Sequence, residues 1–319
     1  MININRNLTM DQYLVSVIIA THNRDSLLPV AVNSILNQTY QNFEILIIDD
    51  ASEDYTPIII SYLKKKDTRI KSFRSETNIG PGKARNIGIA NANGDLIAIL
   101  DDDDIAIPNR LAVQVKFLDT DPNIDVVFSA TKFQDNDNNK CKIYPSIDTI
   151  LSLPESSDEL FKQLYVDWKW IVLNTTIMAR RKVLDQIKYV KKPWRGEDHI
   201  LVSMIAASGF KMKGIPQPLV TVNRSMKREG LMVNKCVNNF KAALIIKRWI
   251  KKNKPDKFQD LHKKAMSNSL LNEQHYANNY FKAILYFLFA FLIWPQSPKV
   301  QKKIRHYYEK YIKGFARIN

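Results

Sequence analysis

Four aspartates in a row, Asp101 to Asp104, follow the apolar run Leu96-Ile97-Ala98-Ile99-Leu100. An acidic run alone is ordinarily a solvated loop. At the end of a buried strand it becomes a site, because crowded carboxylates repel one another until a cation relieves them. Two further polar clusters end apolar runs: Thr21-His22-Asn23-Arg24 after Val15 to Ala20, and Asp49-Asp50-Ala51-Ser52 after Phe43 to Ile48. A separate acidic pair, Glu197-Asp198, follows Trp194-Arg195-Gly196 and precedes Ile200, Met204 and Ile205, so it opens a helix. Adjacent helical residues point about 100° apart, so only one of the pair can aim at a substrate. Such a carboxylate can take a proton from a hydroxyl, or it can simply complement the helix dipole.

The runs between these clusters predict the elements that position them. Leu28, Val32, Ile35 and Leu36 recur at helical spacing, with Pro29 tolerated in the first turn. A helical stretch runs through Leu63, a short strand lies near Ile70 to Phe73, and Pro81 to Ala92 forms another helix. Pro108 opens a helix through Leu111, Val115 and Leu118, and Val126-Val127-Phe128 is a strand. Strands alternating with helices predict a parallel, doubly wound sheet. Its strands end on one edge, where such sheets bind ligands, so the three polar clusters converge.

A chain of 319 residues supports one large domain, or one with an appendage. Cys141 and Cys236 cannot build a disulfide framework and fit a reducing compartment. The stretch Met1 to Asp11 is polar and lacks the apolar core of a secretion signal. The expected location is therefore cytoplasmic, with room for attachment to the inner face of the cell membrane.

Charge divides the chain unevenly. Residues 1–223 carry 26 Lys/Arg against 27 Asp/Glu, and residues 224–319 carry 21 against 5, a net +16. That asymmetry calls for an anionic partner. Ala242, Ile245, Ile246, Trp249 and Ile250 form a helical stripe opposite Lys241, Arg248, Lys251 and Lys252. The stripe suits either burial in the fold or an anionic bilayer. Phe281 to Trp294 contains one lysine and no other charge, and its 14 residues fall short of a membrane span. Lys299, Lys302, Lys303 and Arg305 follow it, which favours an interfacial position. Nucleic acid suits the charge too, but no recognised reading motif accompanies it.

The ordered set Val17-Ile18-Ile19-Ala20-Thr21-His22-Asn23-Arg24, Ser34-Ile35-Leu36-Asn37-Gln38-Thr39 and Phe43-Glu44-Ile45 begins a family pattern. It continues through Asp49-Asp50-Ala51-Ser52, Asn78-Ile79-Gly80, Ala84-Arg85-Asn86, Gly94-Asp95, Leu100 to Asp104, and Pro108-Asn109-Arg110-Leu111. Over residues 14–130 the chain resembles the inverting family 2 glycosyltransferases, with a weaker match to residue 222 through Gly196-Glu197-Asp198. The resemblance implies the GT-A fold, a Rossmann-like, mostly parallel α/β sheet with a nucleotide-binding half and an acceptor-binding half. Residues 1–225 would form that domain, and residues 226–319 a helical, basic C-terminal region.

The implied activity is an inverting hexosyl transfer from a nucleotide sugar, a UDP-sugar by preference, to a glycan or lipid-linked acceptor. Its setting would be cell-surface polysaccharide biosynthesis. The implied cofactor is Mn²⁺ or Mg²⁺ on the Asp-x-Asp positions, with Asp103 as metal ligand and Asp101 or Asp102 assisting it or facing the ribose. Thr21, Asn23, Arg24, Asp50, Lys83, Arg85 and Arg224 are implied donor contacts, Asp50 accepting the N3–H of uracil or thymine. Asp198 is the implied base, Glu197 its assistant, and Trp194 an apolar platform for the acceptor, with Trp168 and Trp170 as further candidates. One departure is that Val220-Thr221-Val222-Asn223-Arg224 offers no histidine for a third metal ligand, leaving Arg224 or Lys227 to meet phosphate.

Two other readings compete. Asp101-x-Asp103 after a strand superficially fits an aspartyl-nucleophile phosphohydrolase, although that chemistry places its nucleophile on the first strand. An inactive sugar-nucleotide or membrane-binding module is the non-enzyme alternative. A dinucleotide-dependent dehydrogenase fails, because Gly80-Pro81-Gly82 neither follows the first strand nor has phosphate-cradling spacing.

Overall fold

A computed structural model describes residues 12–135, 140–190, 196–224, 239–258, 260–275 and 280–307. The chain divides into two units: Met1–Leu160 with Trp170–Lys227, and Phe161–Lys169 with Arg228–Asn319.

The first unit opens with β1 (Val15–Thr21), α1 (Leu28–Leu36), β2 (Phe43–Asp49), α2 (Thr56–Lys66), β3 (Ile70–Arg74), α3 (Pro81–Asn91) and β4 (Leu96–Ile99). It continues with β5 (Asp104–Ala106), α4 (Arg110–Thr120), β6 (Val126–Asp135), β7 (Lys140–Tyr144) and α5 (Ile147–Leu151), and α6 (Ser157–Tyr165) begins in it but has its residues from Phe161 onward in the second unit. Last come β8 (Met178–Arg180), α7 (Arg181–Gln186), α8 (Glu197–Ala207) and β9 (Met212–Arg224). One sheet runs in the order β3-β2-β1-β4-β8-β6-β9-β5, with β7 on β6.

The first four strands of that order are mutually parallel, which puts the ends of β1, β2 and β4 on one edge. β8 pairs antiparallel with β4, and β5 antiparallel with β9. These later strands explain why the sequence pattern fades: β5 and β8 have three residues each, too short for periodicity to register.

Every residue of β2 and β4 is buried, so both faces of the sheet are covered there. Each such Ile, Leu or Val contributes about 1.5–3 kcal/mol on leaving water. α3 lies close on this sheet because Gly88 has no side chain. A Cβ there would come within 2.6 Å of Ile18 Cγ2 and 2.8 Å of Ile48 Cδ1. Gly94 is more constrained still, since its Cβ would meet the Leu14 carbonyl oxygen and Ser16 nitrogen at 2.6 Å. The neighbouring Asp95 Oδ2 accepts the Leu14 N–H at 3.1 Å, so Gly94-Asp95 fastens β4 to the start of β1.

Two motif residues prove to be internal braces. Buried Gln38 donates to the carbonyls of Ser34 (3.0 Å) and Ile107 (2.7 Å) and accepts from Leu111 N (2.9 Å). Arg110 is fully buried, bonding Gln114 Oε1 at 3.0 Å and the Ile99 carbonyl at 2.8 Å. Burial pulls its pKa down to about 10, and Asp104 and Asp101 oppose that pull.

The second unit contains α9 (Asn239–Asn253), α10 (Leu261–His275), α11 (Tyr280–Ile293) and α12 (Pro298–Tyr307). Ala242, Ile246 and Ile250 of α9 are fully buried, while Lys241, Arg248, Lys251 and Lys252 are exposed. The α9 stripe is therefore spent on protein contacts rather than on a bilayer. Trp168 belongs to this unit, where it is buried with Nε1 donating to the Ala265 carbonyl at 3.5 Å. It is a core residue and not a platform for a sugar.

Candidate active site

The ends of β1, β2 and β4 build one rim. The His22 ring donates from Nδ1 to the Asp50 carbonyl (2.7 Å), which can only accept, so that nitrogen carries the proton. Asn23 adopts φ 54° and accepts the Glu53 N–H at 2.8 Å, while its own N–H reaches Ser52 Oγ at 2.9 Å. Asp50 is buried and accepts from Ser75 Oγ (2.9 Å), Ile79 N (2.8 Å) and Gly80 N (2.8 Å). A carboxylate has about four acceptor positions, so one remains for a ligand donor. Asp49 closes the turn through Ser52 N at 2.9 Å and pairs with Arg74. It caps no helix, since α2 begins only at Thr56.

The acidic run splits into different roles. Asp101 Oδ1 accepts from Arg85 Nη2 at 2.8 Å and from Asn174 Nδ2 at 3.3 Å. Asp102 lies 3.7 Å from Arg24 Nε. Burial pushes the Asp102 carboxyl up to about 6. Asp103 and Asp101 reinforce the shift, while Arg24 and the nearby Thr21 hydroxyl oppose it. Thr21 Oγ1 itself is buried without a full hydrogen bond. Asp103 is the exposed member. Asp104 is buried and leaves the rim altogether, because it starts β5 and pairs with Val222.

Arg85 connects this rim to the acidic pair on α8. Its Nη1 donates to Glu197 Oε1 at 3.1 Å while Nη2 holds Asp101. Burial works against the guanidinium charge, yet Asp101 and Glu197 raise its pKa overall. Its Cζ lies 5.4 Å from the centre of the Tyr189 ring, and Tyr189 OH donates to Asn174 Oδ1. Arg85 was expected as a donor contact. Its two terminal nitrogens face protein carboxylates, so it holds Asp101 and Glu197 in place.

Gly196, at φ 88° and ψ 18°, turns the chain left-handed into α8. Asp198 accepts the His199 N–H at 2.8 Å. Its residue surface is partly accessible while protein surrounds the carboxyl. Burial, then the Glu197 charge, push that carboxyl up to about 7, with the His199 N–H and Arg85 pulling back. Trp170 stacks on His199 with ring centres 4.6 Å apart, so it braces the start of α8.

The remaining expected residues are placed as follows. Lys83 is half-buried in the first turn of α3. Arg224 ends β9, two residues past the Val222 partner of Asp104, and nothing further is described of it. Trp194 and Lys227 lie outside the described residues. Sequence reasoning missed Asn174, Thr175 and Tyr189. Thr175 Oγ1 accepts the Asp101 N–H at 3.3 Å, and Asn86 exchanges bonds of 2.9 and 3.0 Å with the Tyr189 backbone. The one local signal was the polar run Asn174-Thr175-Thr176 following Ile171-Val172-Leu173.

Among the described residues, no three His, Cys, Asp or Glu side chains cluster to hold a metal ion by themselves. Hard oxygen donors crowded at Asp102 and Asp103 do fit a cation that completes its shell from substrate phosphates.

A family model for glycosyl transferase family 2 matches residues 16–188, more than half of the chain. The chain belongs to that family. It is similar to the uncharacterized glycosyltransferase MJ1057 of Methanocaldococcus jannaschii, 33% identical over 66% of this chain and 71% of the relative. It also resembles the Escherichia coli protein UDP-Glc:alpha-D-GlcNAc-diphosphoundecaprenol beta-1,3-glucosyltransferase WfgD, 40% identical over 34% of this chain and 42% of that one. Among solved structures, S. aureus TarS 1-349 in complex with UDP-GlcNAc aligns with a TM-score of 0.64. The two share 18% identity, with 88% of this chain and 81% of that one covered. That likeness establishes the expected GT-A fold. This family 2 member is a glycosyltransferase, so the phosphohydrolase reading falls.

Proposed function

We propose that the enzyme transfers a hexosyl group, with inversion, from a UDP-sugar to a hydroxyl of a glycan or lipid-linked acceptor in cell-surface polysaccharide synthesis. One observation carries this reading: Arg85 ties the acidic rim to the pair that contains Asp198, so leaving-group and base ends share one site. The remaining acceptor position of Asp50 takes the imide N–H of uracil, and Thr21, Asn23 and Arg24 border the nucleoside. Asp103, with Asp102 beside it, would hold Mn²⁺ or Mg²⁺. When bound, the cation neutralises the departing diphosphate.

Asp198 removes the proton from the acceptor hydroxyl as that oxygen bonds to the anomeric carbon. The bond from that carbon to the diphosphate oxygen breaks, and its electron pair leaves with the nucleotide. A single displacement, with the base on the face opposite the leaving group, gives inversion. The name of WfgD, which specifies UDP-Glc and a diphosphoundecaprenol acceptor, supports the uridine and lipid-linked parts of the proposal. The complex of TarS with UDP-GlcNAc supports the uridine part as well. The test is to screen purified protein against UDP-, GDP- and dTDP-sugars with Mn²⁺, following nucleotide release. Preference for a UDP-sugar is expected. Equal turnover of a GDP-sugar would refute the role of Asp50.

A further inference from the structure

From Leu285 to Ile293, α11 is apolar on both of its faces. Tyr286, Phe287, Ala290 and Ile293 pack inward with Leu270, Leu271 and Val300. At about 100° per residue, the opposite side of the helix carries Leu288, Phe291 and Leu292, with Phe289 beside them. These four side chains are 47%, 38%, 73% and 53% exposed. A helix that is apolar all round belongs in a protein core or a lipid phase, and this one is only half in a core. Its 14 residues rise about 21 Å, short of the roughly 30 Å hydrocarbon thickness. Among the described residues no helix is long and apolar enough to cross a membrane.

The surrounding charge narrows the occupant. Between Glu273 and Glu309 the sequence holds five Lys/Arg and no Asp/Glu. α12 packs against α11 and exposes Lys299 and Lys302, with Ile304 36% exposed. Trp294, just past the end of α11, lies with Lys264 Nζ 5.7 Å over its ring. Tryptophan beside lysine is the pairing that suits the boundary between headgroups and acyl chains. A second copy of this chain would bring the same positive charge to the patch, which disfavours self-association.

We propose that the outward face of α11, together with Lys299 and Lys302 of α12, docks on an anionic lipid bilayer, with α11 lying flat in the headgroup layer. Docking does not depend on the donor, the metal or the acceptor. Where the acceptor is lipid-linked, the surface holds the enzyme in the layer that contains it.

The full-length protein is to be co-sedimented with vesicles of phosphatidylcholine, with and without phosphatidylglycerol. Binding to the phosphatidylglycerol vesicles is expected, weakening as salt is raised. Lys299→Glu with Lys302→Glu should weaken it at least about tenfold. Leu288→Ser with Leu292→Ser should weaken it at least about a hundredfold. Thermal unfolding checks each variant; if the leucine pair fails to fold, the exposed lysine pair carries the test. The proposal is overturned if wild type binds no vesicle, or if the folded variants bind as wild type does. A wild-type dimer that the leucine variant splits would overturn it too, by assigning the face to a second copy.

Discussion

Asp101 to Asp103 stand at the open end of β4 beside Arg24 and Arg85, whereas Asp198 stands at the start of α8 with its carboxyl enclosed by protein. Both regions are acidic, and burial raises the pKa of Asp102 as it does that of Asp198. Their neighbours differ. At the rim the strain is mutual, since Asp103 and Asp101 repel Asp102, and an added cation relieves it. At α8 the fixed cation, Arg85, already engages Glu197, which leaves Asp198 poised near neutrality. Crowding therefore suits the rim to a metal and enclosure suits Asp198 to a proton.

The sharpest way to separate the two is Asp198→Asn. Turnover should fall about 10²–10⁴-fold while the donor dissociation constant is unchanged. In the wild type, kcat should rise about tenfold per pH unit toward about 7 and then level, because the base must be ionised. That rising limb should vanish in the variant, and its persistence would move the base elsewhere.

Arg85→Ala removes the link between the regions and strands the buried Glu197 carboxylate, so a loss of about 3 kcal/mol in stability is expected by denaturant unfolding. Arg85→Lys retains charge without the two-armed bond. It should lower kcat more than it raises the donor KM, and an effect on KM alone would restore Arg85 as a donor contact.

Stability against pH compares the regions directly. Asp102 and Asp198 have folded pKa values of about 6 and about 7, above their ordinary 3.8. The folded state therefore holds more protons between these limits, and the stability these groups confer is full below about 4 and lost as pH rises through 6 and 7. Metal-free protein should lose about 4 kcal/mol from this source between pH 5 and pH 8, roughly two-thirds of it through Asp198, read by thermal unfolding at each pH. Saturating Mn²⁺ should recover the Asp102 share and leave that of Asp198.

The smallest expected effect is that of Gly82→Ala, whose Cβ would sit 3.2 Å from Glu197 Cγ and 3.3 Å from Tyr189 Cβ. A cost of about 1 kcal/mol and a modest fall in kcat at unchanged donor KM are expected from kinetics and melting.

The rim was readable in the sequence because β1, β2 and β4 are buried on both faces and so appear as unbroken apolar runs ending in polar residues. Asp50 and Asp198 were readable as positions, through the clusters that contain them. The bridge was not. Arg85 meets Glu197 across 112 residues, and Tyr189 meets Asn86 across 103, separations that leave no periodic trace. The departure of Asp104 escaped notice for a local reason, since a three-residue strand inside an acidic run looks like more of the same run. The second unit was legible as basic and helical, but its α9 stripe could not reveal what covers it.

The central claim is that UDP binding depends on a cation held at Asp103. Isothermal titration of UDP into the full-length protein, with Mn²⁺ and then with chelator, tests it directly against Asp103→Ala. The prediction is metal-dependent binding that weakens at least about tenfold both with chelator and in the variant, where Mn²⁺ no longer restores it. An equal dissociation constant in all three conditions would contradict the claim.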